Sequence, residues 1–320
     1  MNVKQSLQLV MACDESYAMP LATTLRSVVE TNRQHWPITV YILFDRFSDD
    51  AQKKVQESVP KGSLAIRWML VDLIPFQGFS SFLSYSKITY ARLLIPWALP
   101  PGTSKLLYLD SDILVLGDLG PLWETDLENA TLGAVVDVLD EISKRGGADA
   151  HDLPRVMDYF NSGVLLIDLD RWRAEKISER TMDYLRENPD CRFPDQDALN
   201  VVCDGVWKKL DPQWNFQGHC DTCLWEVRPE RRPKIVHFVT AMKPWIFNVP
   251  TLNTSFYDTF RNRTRFARSV RERMNDLFQG GFRNGWTLVK FGLKRYSIVR
   301  AIWNHLQPRR GREFPPRSSM

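Results

Sequence analysis

Apolar residues in the first hundred positions alternate between two spacings. Leu7–Cys13 is a short, nearly continuous apolar run, which predicts a buried strand. Pro20–Thr31 sets Leu21, Leu25, Val28 and Val29 at steps of three and four, or one face of a helix. Ile38–Phe44 predicts a second strand. Ser48 is a natural N-cap for a helix over Asp49–Ser58, and Leu64–Val71 predicts a third strand. Strands alternating with helices predict a mainly parallel sheet covered on both faces. Further on, Tyr90–Ile95 reads as helical, and Pro96-Trp97-Ala98-Leu99-Pro100-Pro101-Gly102 as a breaker. Leu132–Asp137 and Gly163–Leu169 predict core strands, and Ile177–Glu187 an amphipathic helix. Pro194 and Asp195 open a helix through Gln196–Val202, and Ile235–Val239 predicts a last short strand.

One run stands out. Lys105-Leu106-Leu107-Tyr108-Leu109 leads straight into Asp110-Ser111-Asp112, and Ile113-Leu114-Val115-Leu116 follows. In an extended chain alternate side chains share a face, so Asp110 and Asp112 are expected to point the same way. Two carboxylates aimed at one point repel unless a cation lies between them, and oxygen ligands suit Mg2+ or Mn2+. Strand carboxyl ends are also where open α/β sheets bind ligands. Far along the chain, His237 lies in an apolar segment with Lys243 six residues later. A neutral imidazole can complete an Asp/Asp metal site, and a lysine can neutralise phosphate.

The chain has 320 residues, 44% of them hydrophobic, enough for one large domain with an appendage. No apolar run reaches the length of a membrane span. The apolar patch near the N-terminus runs too soon into Asp14 for a secretory signal, so a cytoplasmic location is expected. Five cysteines, odd in number and scattered, argue against a disulfide framework. His219-Cys220-Asp221-Thr222-Cys223 lacks the second ligand pair of a zinc site.

The net charge of +4 hides an asymmetry: residues 261–320 carry a net +12 and residues 1–260 a net −8. Such a split points to a polyanionic partner for the tail. Val289, Leu293, Tyr296, Val299, Trp303 and Leu306 form an apolar stripe at helical spacing among lysines and arginines, which suits an anionic membrane surface rather than nucleic acid. The expected organisation is a catalytic domain over 1–260 and a basic amphipathic helical tail over 261–320, its last residues disordered. The protein would then be held peripherally on the inner face of the membrane.

Six blocks in order carry a resemblance: Ala12-Cys13-Asp14, Tyr90-Ala91-Arg92-Leu93, Tyr108-Leu109-Asp110-Ser111-Asp112, Phe160-Asn161-Ser162-Gly163-Val164-Leu165-Leu166, Asp195-Gln196-Asp197-Ala198-Leu199-Asn200, and His237 with Lys243-Pro244-Trp245. From about Leu7 to Trp245 the chain resembles the retaining glycosyltransferases of family eight, which include bacterial lipopolysaccharide galactosyl- and glucosyltransferases and glycogenin. The resemblance implies a GT-A fold, a UDP-sugar donor and Mn2+, with Mg2+ as the substitute. It implies Asp110, Asp112 and His237 as metal ligands. Ala12, Asp14 and Ser16 would lie by the nucleoside, and Lys243 by the diphosphate. Arg92, Asp137, Asn161 and Asp195 match positions at the donor sugar, and Ser111 is grouped with the donor-binding residues. Gln196 matches the residue beside the reacting face of the anomeric carbon. Asp195, Gln196 and Asp137 are the catalytic candidates. The acceptor would be a glycan or lipid-linked oligosaccharide. Ser16 and Thr240 stand where the family often has asparagine and glycine, which bears on donor detail.

Two other classes use similar residues. A phosphatase with an aspartyl nucleophile also follows a strand with Asp-x-Asp, although it normally adds a later acidic pair that this chain lacks. A sugar-nucleotide-binding membrane scaffold would bind donor and transfer nothing.

Overall fold

A computed structural model gives the structure of the chain and describes residues 6–32, 37–79, 86–140, 153–239, 243–246 and 251–269. Thr240 and the apolar stripe of the tail lie outside these residues.

Nine strands are present among the described residues: β1 Leu7–Ala12, β2 Ile38–Phe44, β3 Ala65–Leu70, β4 Lys105–Leu109, β5 Ile113–Val115, β6 Leu132–Val136, β7 Phe160–Asp168, β8 Trp207–Lys209 and β9 Ile235–His237. The α-helices are α1 Ala18–Thr31, α2 Asp49–Gln56, α3 Ile95–Ala98, α4 Gly120–Trp123, α5 Leu169–Ala174, α6 Ile177–Glu187, α7 Pro194–Val202 and α8 Thr254–Arg261. Seven strands form one sheet in the order β3-β2-β1-β4-β7-β6-β8, and β5 pairs with β9 in a separate ribbon. Only the pairings of β7 with β4 and with β6 are antiparallel in the large sheet; the rest are parallel. The expected α/β architecture with a mixed, mainly parallel sheet is present.

Alternation along the central strands builds two cores. Leu7, Leu9 and Met11 of β1 and Leu107 and Leu109 of β4 pack with Leu21, Leu25 and Val28 of α1. Val10 and Ala12 of β1 and Leu106 and Tyr108 of β4 face the opposite way, among Trp172, Ile177 and Leu199. The two-residue period of a strand thus divides each apolar run between the two faces of the sheet. α2 is capped as expected: the Ser48 hydroxyl accepts from the Ala51 amide.

Four details differ from expectation. The region around Arg92 is a 3-10 helix over Lys87–Leu94, and it runs on as α3 through the first residues of the expected breaker, which ends the helix after Ala98, where Leu99 turns extended. Pro96 sits in the first turn there, where a missing N–H costs nothing. β7 begins three residues earlier than expected, at Phe160, because its pairing with β6 extends to Val136; Leu169 already belongs to α5. β9 ends at His237, where its three-residue pairing with β5 ends. Finally, β4 ends at Leu109 and the chain bends at Ser111 and Asp112, so strand alternation is not what orients Asp110 and Asp112.

Candidate active site

The Asp110–Asp112 bend is fixed from three sides. The amide of Asp110 donates to the Gly163 carbonyl at 2.8 Å, continuing the β4–β7 ladder. From α1, the Thr24 hydroxyl reaches the carbonyls of Ser111 (3.0 Å) and Ile113 (2.8 Å), one on each side of Asp112. From the third side, β5 pairs with β9 so that Ile113 stands opposite His237, and the Phe238 amide donates to the Asp112 carbonyl at 3.1 Å. This short ribbon brings a histidine from residue 237 to the acids at 110 and 112.

Asp110, Asp112 and His237 therefore converge, each offering an atom within 4.8 Å of the others. His237 Nε2 lies 3.2 Å from Asp112 Oδ1 and 3.7 Å from Asp110 Oδ2. Asp112 Oδ1 is buried and approached only by His237 Nε2, without the geometry of a good hydrogen bond, an arrangement that is costly unless a cation meets it. Gly163 makes the approach possible: a Cβ there would overlap the His237 ring and lie 2.7 Å from Asp110 Oδ2. Two carboxylates and an imidazole with one orphaned oxygen fit a divalent cation of the Mn2+ or Mg2+ kind.

The remaining oxygens are held by cations and hydroxyls. Lys243 Nζ donates to Asp112 Oδ2 at 2.6 Å and also to the Phe238 carbonyl. Burial pushes the Asp112 pKa up, but Lys243 and His237 outweigh it and hold the carboxyl far below its usual range. Asp110 Oδ1 accepts from Arg92 Nη2 and from the Tyr108 hydroxyl, both at 2.9 Å. Arg92 also reaches Asp195 Oδ2 through Nε at 3.1 Å and the Ser162 carbonyl and hydroxyl through Nη1 at 2.7 Å. It is buried; that pulls its pKa down, but Asp110 and its neighbours outweigh burial and keep it charged. Asp195 is raised by burial, with Arg92 opposing.

A cleft of about 220 Å³ opens at the carboxyl ends of β1 and β4. Of the predicted residues it is lined by Ala12, Asp14, Ser16, Arg92, Asp110, Ser111 and Asp112. Asp14 caps a short 3-10 turn: its Oδ1 accepts the amide and the hydroxyl of Ser16. Behind Arg92, Gln196 accepts the Ser162 amide on Oε1 (2.9 Å) and donates through Nε2 to Asp137 Oδ2 and the Tyr159 hydroxyl, both at 3.1 Å. Asn161 donates to the same Asp137 oxygen at 2.8 Å. All thirteen predicted residues thus belong to the cleft or to the hydrogen-bonded groups behind it.

Several participants had no role in the sequence reading. Tyr108 and Ser162 stood inside quoted blocks without a role of their own. Thr24, Tyr159 and Asn215 carry no local signal; each is a buried polar side chain whose partner lies far away in sequence.

A sheet of this order, with an acid pair at the end of its fourth strand and a cleft over the first, defines a GT-A type transferase. The sequence profile described as "Glycosyl transferase family 8" matches residues 8–248, and the chain belongs to that family of glycosyltransferases. It is similar to general stress protein A of Bacillus subtilis (29% identical over 268 residues, covering 78% of this chain and 90% of that protein). It is also similar to lipopolysaccharide 1,2-glucosyltransferase of Escherichia coli K12 (25% over 259 residues, 76% and 74%). Among solved structures, galactosyltransferase LgtC in complex with donor and acceptor sugar analogues superposes with a TM-score of 0.69 at 28% identity, covering 83% of this chain and 99% of that one. No helix among the described residues is long and apolar enough to cross a membrane.

Proposed function

We propose that the protein transfers glucose or galactose from a UDP-sugar to a hydroxyl of a lipopolysaccharide or related glycan, with retention at the anomeric carbon and dependence on Mn2+ or Mg2+. The observation that carries this reading is the meeting of Asp110, Asp112 and His237 at the rim of the β1–β4 cleft. Galactosyltransferase LgtC and the E. coli glucosyltransferase lend the hexose and the glycan.

Asp110, Asp112 and His237 would hold the metal, which when bound supplies Lewis-acid stabilisation of charge on the departing diphosphate. Ala12, Asp14, Ser16 and Ser111 line the part of the cleft given to the nucleoside and donor. Lys243, beside Asp112, supplies a second positive charge for the diphosphate. Arg92 keeps Asp110 and Asp195 at fixed positions by bonding both. Asp195 and Asp137, held behind the cleft wall by Arg92, Asn161 and Gln196, would supply negative charge near the sugar, where positive charge develops in the transition state.

Gln196 favours a same-face mechanism. Its Oε1 accepts from the Ser162 amide at 2.9 Å and from the Ser162 hydroxyl at 3.3 Å, so neither lone pair is free to attack carbon. A solved LgtC structure is of an active-site mutant in which Gln is replaced by Glu, which supports a glutamine at the reacting centre. Gln196 then holds Ser162, Asp137 and Tyr159 in place behind the sugar, and the acceptor hydroxyl attacks from the side the diphosphate leaves.

The test is donor hydrolysis. Purified protein with Mn2+ and a panel of UDP-hexoses should release UDP slowly from one donor, and Asp110→Ala or Asp112→Ala should lower the rate by at least about 100-fold. Near-normal release by both variants would defeat the reading. Phosphate release with no sugar nucleotide would mark the phosphatase class instead.

A further inference from the structure

His237 does not reach the acid pair unaided. Its other ring nitrogen, Nδ1, lies 3.0 Å from Asn215 Oδ1, and Asn215 is the near end of a buried chain of amides. Asn215 Nδ2 donates to Asn161 Oδ1 at 2.8 Å. Asn161 Oδ1 also accepts the Gly163 amide at 3.0 Å, and Asn161 Nδ2 donates to Asp137 Oδ2 at 2.8 Å. Asn215, Asn161, Asp137 and His237 are each 6% exposed or less.

The direction of this chain is forced. A backbone N–H can only donate, so the group Gly163 faces on Asn161 must be the oxygen. That oxygen then needs a donor from Asn215, so Asn215 turns its NH2 toward Asn161. The atom left facing His237 is Asn215 Oδ1, which can only accept. Asn215 Oδ1 thereby claims the imidazole proton for Nδ1, in competition with Asp112 Oδ1 at 3.2 Å from Nε2, and a proton on Nδ1 leaves the Nε2 lone pair for a cation held by Asp112 and Asp110. Metal-bound histidines are normally oriented by a carboxylate, a backbone carbonyl or water; here a side-chain amide does it. The backbone explains how Asn215 comes to be there. The Phe216 amide donates to the Ile235 carbonyl and the His237 amide to the Phe216 carbonyl, both at 2.9 Å, so residues 215–216 run along the edge of β9 that β5 leaves open.

We infer that Asn215 is a positioning residue, the last link of an Asp137–Asn161–Asn215 relay that fixes the tautomer and ring orientation of His237 and so ties the sugar side of the cleft to the metal side. The inference rests on the metal reading of Asp110, Asp112 and His237, but the tautomer is measured without any metal.

The experiment has two readouts. Imidazole 15N shifts of the metal-free protein at alkaline pH, assigned against His237→Gln, report which nitrogen carries the proton. Electron paramagnetic resonance of free Mn2+ in nucleotide-free protein reports affinity. The unsubstituted protein should hold the proton on Nδ1. Asn215→Ala should mix the tautomers and weaken Mn2+ binding about 10- to 100-fold. Asn215→Asp keeps an acceptor for Nδ1 while giving up the donor to Asn161, and should restore the Nδ1 proton but only part of the Mn2+ affinity, a split that a space-filling role would not produce. A proton on Nε2 in the unsubstituted protein, an Asn215→Ala protein unchanged in both readouts, or mixed tautomers in Asn215→Asp would each overturn the inference. Should Asn215→Ala fail to fold, the unsubstituted protein and Asn215→Asp still decide. Absence of Mn2+ binding by the unsubstituted protein with the proton on Nδ1 would remove the metal reading and support the relay.

Discussion

His219 sits beside the acid pair without joining it. It is buried, with its ring edge-on to Phe238 at 5.1 Å. Burial first, then the positive charges of Lys243 and His237, push its pKa down to about 4. A histidine that charges more easily unfolded than folded destabilises the fold only when the unfolded chain takes up the proton. Above pH ~6.5 both states are neutral and His219 contributes nothing to pH dependence. Between pH ~6.5 and ~4 the folded state loses ground progressively, by on the order of 3 kcal/mol in all. Below that the loss levels off. Urea denaturation at stepped pH should show this slope, and His219→Gln should flatten it; identical slopes in both proteins would reject the assignment. In the sequence His219 looked like part of an incomplete zinc motif. Charged side chains such as Asp110, Asp112 and Lys243 were legible because their cost when buried demands an explanation. Asn215 and Tyr159 were not, because a neutral polar residue is ordinary until its distant partners are known.

At the level of elements, α1 does more than cover the sheet. Thr24 and Ser27 on its inner face and Asn32 at its C-cap are buried polar residues that reach beyond the helix. The Thr24 hydroxyl spans the carbonyls of Ser111 and Ile113, Ser27 Oγ accepts the Val115 amide at 2.9 Å, and Asn32 Oδ1 accepts the Leu119 amide at 2.7 Å. The segment from Asp110 to Leu119 is thus tied to one helix at three points. Thr24→Val keeps the side-chain shape and leaves two buried carbonyls without that donor. It should cost about 1–3 kcal/mol of stability and weaken Mn2+ binding. Thr23→Val is the control, since the Thr23 hydroxyl donates to the Met19 carbonyl of its own helix at 2.9 Å and bonds Tyr257 of α8 but does not touch the segment that carries the acid pair. Denaturant melts and Mn2+ titration should separate the two, and equal effects would deny α1 this part. The helix itself was legible from its apolar spacing, and β2 and α6 match their expected limits. The polar staples were hidden because a threonine in an apolar stripe gives no hint of which carbonyl it faces.

Across the whole molecule, the parallel half of the sheet followed from strand–helix alternation and the rest did not. An apolar pattern sets which face a residue takes, but not which strand lies beside it, so β7 between β4 and β6 and the β5–β9 ribbon had to be seen. The basic tail poses the remaining whole-molecule question. Residues just past α8 serve the body: Arg263 pairs with Glu30, Arg265 Nε lies 3.0 Å from Glu57, and Phe266 packs against the core beneath Lys54. A deletion meant to test membrane attachment should therefore begin after Ser269. Residues 270–320 still hold eleven lysines and arginines against three acids, a net of +8. Near an anionic surface each basic residue contributes about 1 kcal/mol, an attraction that salt screens. The full chain should sediment with phosphatidylglycerol vesicles at low salt and be released as salt rises. The chain ending at Ser269 should stay in the supernatant while binding UDP and Mn2+ as before, because the cleft and the Asp110–Asp112–His237 cluster involve only residues up to 237. Equal sedimentation of both chains would show that the body binds the vesicles by itself, and would leave the excess of arginine in the tail without this explanation.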